Sequence, residues 1–83
     1  MSDPSWQALS PARQRADLSM AALFIRYIAL GGLASATQLY DHIEWGGPLT
    51  NREQDLAAQA INERFLELQS SERLPYHLRL APG

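Results

Sequence analysis

The sequence predicts an all-α fold: a small three-helix bundle with a central apolar first helix and extended N- and C-terminal tails. Three observations lead there. Between Asp17 and Asp41, twenty-three residues (LSMAALFIRYIALGGLASATQLY) carry one charged side chain, Arg26. Apolar residues recur at helical spacing in three blocks, each opened by a serine or threonine suited to capping. Glycines at Gly31-Gly32 and Gly46-Gly47-Pro48 supply the stops between them.

The elements follow in order. Residues 1–9 form an arm in which Trp6 and Leu9 pack onto the bundle. The first helix spans 10–31: Ser10 is a favoured N-cap and Pro11 is pre-shaped for the first helical position. At about 100° per residue, Leu18, Ala21, Ala22, Ile25, Ile28 and Ala29 share one side. Met20, Leu23, Phe24, Tyr27 and Leu30 cover much of the other, and Arg15, Ser19 and Arg26 form a narrow polar strip. A surface helix normally hides one stripe and wets the rest. A helix apolar on nearly every side requires enclosure, by its own domain or by another chain.

The second helix spans 35–46. Ser35 and Gln38 have capping-box spacing. Leu33, Ala36, Leu39, Tyr40 and Ile43 share a face, with Thr37, Asp41, His42 and Glu44 outside it. The third helix spans 50–70 and opens with a second capping box, Thr50-Asn51-Arg52-Glu53. Ala57, Ile61, Phe65 and Leu68 form its buried stripe; Arg52, Asp55, Gln59, Asn62, Glu63 and Gln69 face water. The tail, 74–83, begins Leu74-Pro75 and then alternates, with Tyr76, Leu78 and Leu80 on one side and His77 and Arg79 on the other. Such a segment either lies extended along the bundle or adds to a strand of another chain.

With 83 residues and no cysteine, the chain makes one small domain without disulfides or thiolate metal sites. Self-association or docking on a partner is the remaining way to reinforce so small a core. A net charge of −2 supplies no electrostatic footprint for nucleic acid. All seven basic residues are arginine, as in the proteins of GC-rich bacterial genomes. Met1 to Trp6 lacks a secretory n- and h-region. Arg26, Ser19, Gly31, Gly32, Ser35, Thr37 and Gln38 dilute the central block below a membrane span, so the expectation is a cytoplasmic protein.

No signature of chemistry accompanies this frame. Asp41, His42 and Glu44 diverge around their helix, because only i,i+3 and i,i+4 neighbours converge. Neither His42 nor His77 belongs to a ligand cluster, and Gly46-Gly47-Pro48 lacks the lysine and hydroxyl of a phosphate loop. The expectation is no enzyme, and no catalytic, cofactor or metal residues. Trp45 either covers the core edge or forms a ligand lip or a partner contact. Arg26 either snorkels to water or pairs with an acid, with Asp17, Asp41 or a partner's carboxylate as candidates.

Leu49-Thr50-Asn51-Arg52-Glu53 resembles the entry to the DNA-binding domain of LuxR-type regulators. The resemblance covers five residues, the recognition helix such a domain needs does not follow Arg64, and no family is assigned. The functional expectation is a non-catalytic protein–protein interaction or regulatory module, a homodimer or one that docks on another protein. Its contact residues are Met20, Phe24, Arg26, Tyr27, Trp45, Tyr76, Leu78 and Leu80. The alternatives are a small helix-turn-helix DNA-binding regulator, using Arg13, Arg15, Arg52 and Arg64 on phosphates, and an accessory subunit of a larger enzyme.

Overall fold

The computed structural model describes residues 6–77, and all of its regular structure is helical. A 3-10 turn (Trp6–Ala8) leads into α1 (Leu9–Arg15), followed by α2 (Met20–Ala29), α3 (Ala36–Trp45) and α4 (Asn51–Glu67). The small helical bundle is as expected, but it is built from four helices, because the segment read as one helix over 10–31 is two.

The break lies at Asp17-Leu18-Ser19. Asp17 takes the left-handed conformation at φ 56°. Its N–H donates to Gln14 O at 3.0 Å, while Leu18 N–H donates to Arg13 O at 3.1 Å. This is the Schellman pattern that closes a helix, with aspartate where glycine is usual. Leu18 turns into the core, and the Arg13 guanidinium donates to Leu18 O at 2.7 Å. Ser19 then caps α2 by accepting Ala22 N–H at 3.0 Å, so it belongs to a helix start and not to a polar strip. Nor is Ser10 a cap. α1 starts at Leu9 without a side-chain cap, and Ser10 Oγ donates to Glu44 at 3.2 Å.

The central helix is α4, not the first apolar segment. Leu56, Ala57, Ala58, Ala60, Ile61 and Phe65 of α4 are buried, and α2 brings only Leu23 and Tyr27 to meet them. α1 adds Leu9 and Ala12, and α3 adds Leu39 and Ile43. Alanines on α4 let the neighbouring helices approach closely, which is how so short a chain closes a core. Trp6 covers the end of α3: a Cβ at Gly46, whose φ is +74°, would lie 2.6 Å from the Trp6 ring. Trp45, by contrast, is 75% exposed and covers nothing.

The caps of α3 and α4 differ instructively. Ser35 and Gln38 form the full reciprocal box. Thr50 accepts Glu53 N–H at 3.3 Å, but the Glu53 side chain does not return to Thr50. It turns inward to Tyr27 and Leu33. α4 ends at Glu67, short of the expected 70, where Gln69 at φ 58° makes another Schellman-type stop. Leu68, expected in the buried stripe, is exposed, as are Leu33, Ala36 and Tyr40 of the face expected for the second helix. His42, Asp55 and Asn62, all expected to face water, are buried.

Asp55 and Asn62 are buried because residues 74–77 lie over them, extended along α4. Asn62 brackets Leu74, accepting its N–H at 2.6 Å and donating to its carbonyl at 3.0 Å. Asp55 accepts His77 N–H at 2.7 Å. Of the two courses open to the tail, the described part takes the first. The 78–83 portion of that expectation, with Leu78 and Leu80, lies outside the described residues, as does the start of the N-terminal arm.

Candidate protein-docking face

The site is built on α2, whose two sides have different fates. Leu23 and Tyr27 point at α4, and Tyr27 has no exposed surface. Its hydroxyl donates to Glu53 Oε1 at 2.6 Å and accepts Ala34 N–H at 2.8 Å. Glu53 Oε1 also accepts Leu33 N–H at 2.7 Å, and Arg52 closes on Oε2. Burial pushes the Glu53 carboxyl up, but the bonds from Leu33, Tyr27 and Arg52 outweigh it and hold it below its ordinary value. Burial, and then the carboxylate beside it, raise the Tyr27 phenol. Gly32 lies flat on the Tyr27 ring, where a Cβ would overlap ring atoms, so only glycine fits there. This polar knot ties the loop after α2 to the start of α4 and fixes the angle at which α2 is held.

Arg26 is held as well. Its guanidinium grips Glu67 in a two-pronged pair, Nη1 to Oε2 at 2.9 Å and Nη2 to Oε1 at 2.7 Å. Arg64 adds a third bond to Glu67 at 3.2 Å. The acid is therefore Glu67 of the same chain, not Asp17 or Asp41. Hydrogen bonding by Arg26, assisted by Arg64, brings the Glu67 carboxyl down to about 2.

With Tyr27 facing inward and Arg26 tied to one flank, the outward side of α2 is left to Ala21, Ile25, Ile28 and Ala29. All four are exposed, Ile25 to 69%. Between this side and α3 runs a groove of about 450 Å³, lined by Met20, Ala21, Phe24, Ile25, Ala36, Thr37 and Tyr40. No lining residue is charged. Phe24 forms the groove wall and leans on Tyr27, ring centroids 6.1 Å apart at 33°, so the wall rests on the knot beneath. Nothing in the described chain covers this apolar side of α2.

The expected contact residues are thus divided by the structure. Met20 and Phe24 are brought together in the groove. Tyr27 is a core residue and is withdrawn as a contact, because its ring supports Phe24 from below. Arg26 is spent within the chain. Trp45 is exposed on α3 but does not line the groove, and Tyr76 accepts a hydrogen bond from Asn62 at 2.9 Å on α4. Ile25, Ile28 and Tyr40 are the members that sequence reasoning missed. For Ile25 and Ile28 the signal was the continuation of the Met20–Phe24 side around α2, hidden while one long helix was expected to be enclosed; Tyr40 comes from α3, whose apolar face was expected to be buried.

Among the described residues, no group of three histidine, cysteine or acidic side chains is placed to hold a metal ion. Asp41, His42 and Glu44 diverge: His42 Nδ1 bonds Gly47 O at 2.8 Å and Glu44 meets Ser10 and Arg13. Among the same residues, no helix is long and apolar enough to cross a membrane. The chain matches no protein-family model, no curated protein and no solved structure.

Proposed function

We propose that this chain is a non-catalytic interaction module that docks through the outward face of α2 and the α2/α3 groove, with a second copy of itself as the occupant. One observation carries the reading: α2 is rigidly held from behind and exposes an uncharged apolar side. Contiguous exposed apolar surface is what interaction sites present. Self-pairing suits it, because Ala21 and Ala29 flank Ile25 symmetrically. An antiparallel partner helix sets Ala21 against Ala29, with Ile25 near the two-fold axis, and the contact is isologous. A ten-residue helix is only about 15 Å long. Reaching the roughly 800 Å² per partner of a standard interface therefore draws in Phe24 and Tyr40 from the groove.

The geometry gives no comparable support to DNA binding. Arg13, Arg15, Arg52 and Arg64 are each engaged within the chain, by Glu44, Glu72, Glu53 and Ala16 O respectively. The helix that would be presented to DNA is the most enclosed in the fold. Single-cysteine variants of this cysteine-free chain test the self-pairing. On mild oxidation Ile25→Cys should give a disulfide-linked dimer, whereas Asn51→Cys, exposed at the start of α4, should remain monomeric. Equal cross-linking of both variants contradicts the arrangement.

A further inference from the structure

The α2/α3 groove carries the chain's one sulfur atom outside the initiating residue. The sequence has no cysteine and two methionines, Met1 and Met20, and only Met20 falls among the described residues. It is the first residue of α2, directly after the Ser19 cap. Met20 packs against the core, yet it keeps part of its surface exposed and lines the groove. Phe24, four residues on, is its neighbour on the same side of the helix. An unbranched, polarizable thioether at such a place suits a surface that repacks against a partner.

The same thioether is open to oxidation by a peroxide. The sulfur lone pair attacks one oxygen of hydrogen peroxide and the O–O bond breaks. The departing hydroxide takes the proton of the transferred oxygen and leaves as water. Sulfur is oxidised by two electrons, the peroxide is reduced by two, and methionine becomes methionine sulfoxide. The product is polar and carries a strong acceptor oxygen where an apolar side chain stood. No residue lining the groove is charged, and its hydroxyls, on Thr37 and Tyr40, belong to α3 across from Met20. In the free chain, water enters the open groove and solvates the new oxygen. A second copy seated on this face expels that water, and a polar group buried without a partner is costly. In a symmetric pair the cost arises twice.

We propose that Met20 is an oxidation site that controls the docking face: a peroxide converts its thioether to the sulfoxide, and the oxidised chain no longer pairs with a second copy. The proposal rests on the self-docking reading given above and adds a chemical regulator to it. The bonds that hold α2 from behind do not involve Met20. Those of Tyr27 run to Glu53 and Ala34, and those of Arg26 run to Glu67. Oxidation therefore alters the contact surface and leaves its support in place.

The test treats the full-length chain with dilute hydrogen peroxide and then removes the excess. Tryptic cleavage at Arg13 and Arg15 puts Met1 and Met20 on different peptides, so mass spectrometry locates the added oxygen. Sedimentation velocity and circular dichroism then compare the chain before and after treatment. The expected result is conversion of Met20, an unchanged helical signal, and a dimer dissociation constant raised at least tenfold. Met20→Leu keeps an apolar side chain of similar size and removes the sulfur. It should dimerise like the parent and remain dimeric after the same treatment. A parent chain that dimerises equally well with Met20 oxidised overturns the inference and leaves self-docking standing. A parent chain that is monomeric before treatment overturns both. The inference also fails if Met20 resists the peroxide, if the helical signal is lost on oxidation, or if treatment dissociates Met20→Leu as well.

Discussion

Tyr27→Phe isolates the knot that holds α2 in place. The substitution keeps the ring, and with it the contact to Gly32, and deletes only the hydroxyl. Two bonds go: the donation to Glu53 at 2.6 Å and the acceptance of Ala34 N–H at 2.8 Å. A hydrogen bond to a carboxylate contributes about 1.5–3 kcal/mol, and a donor left without its acceptor costs about 1 kcal/mol or more. Glu53 retains Leu33 and Arg52, and Ala34 is only half-buried. The expected loss is therefore about 2–3 kcal/mol, toward the lower end of the sum. In a chain of 83 residues each kcal/mol moves Tm by roughly 4–8 °C, so the melting midpoint should fall by roughly 10–20 °C. Thermal and urea unfolding followed by circular dichroism measures this, with the urea m-value unchanged. Tyr40→Phe, at an exposed ring, is the control and should melt with the unaltered protein. A Tyr27→Phe variant within about 0.5 kcal/mol of the parent would refute the assigned role of the knot.

Other consequences follow from the same contacts. Gly32→Ala drives a methyl into the Tyr27 ring and should cost at least about 2 kcal/mol, by overpacking and backbone displacement; a neutral result in chemical denaturation would contradict the close approach. Asp17→Gly removes a non-glycine residue from φ 56°. Relief of about 1 kcal/mol or more, offset by the greater entropy of unfolded glycine, should leave Tm a few degrees higher; a lower Tm would argue against the helix break. Glu67 falls from 4.5 to about 2 on folding. Its contribution is present above pH 4.5 and lost as the pH falls from there toward 2. Glu67→Gln should therefore flatten the acid limb of a plot of Tm against pH, and an unchanged slope would count against the Arg26 pair.

What was legible in the sequence was local chemistry. Ser35 with Gln38, the Thr50 cap, and the stops at Gly31 and Gly46 each act within a few residues, and each stands where the pattern placed it. What was not legible depended on distant partners or on unusual residues in familiar roles. Asp17 does a glycine's work at the end of α1, and Ser19, a cap, sat where a polar strip was expected, so two helices read as one. Asp55 and Asn62 looked like surface residues because the groups that bury them lie 22 and 12 positions away. Glu53 fitted a capping box, yet its side chain serves Tyr27, 26 residues back. These misreadings together placed the centre of the fold on the apolar segment, whereas the structure places it on α4. They also made that segment's outward side look buried, whereas Ala21, Ile25, Ile28 and Ala29 are exposed. Of the residues expected as contacts, Met20 and Phe24 line the groove, whereas Tyr27 is buried; a ring on an apolar helix gives no sign of a buried hydroxyl's partner.

Sedimentation velocity on the purified chain, from micromolar to several hundred micromolar, tests the docking face most directly when run beside Ile25→Glu. Ile25 is 69% exposed, so a glutamate there leaves the fold intact and places a charge in the centre of the proposed contact. The parent chain should sediment as a dimer at the upper concentrations, and Ile25→Glu as a monomer throughout, with matching circular dichroism spectra. A parent chain that stays monomeric at several hundred micromolar, or an Ile25→Glu variant that dimerises as well as the parent, would contradict self-docking through α2.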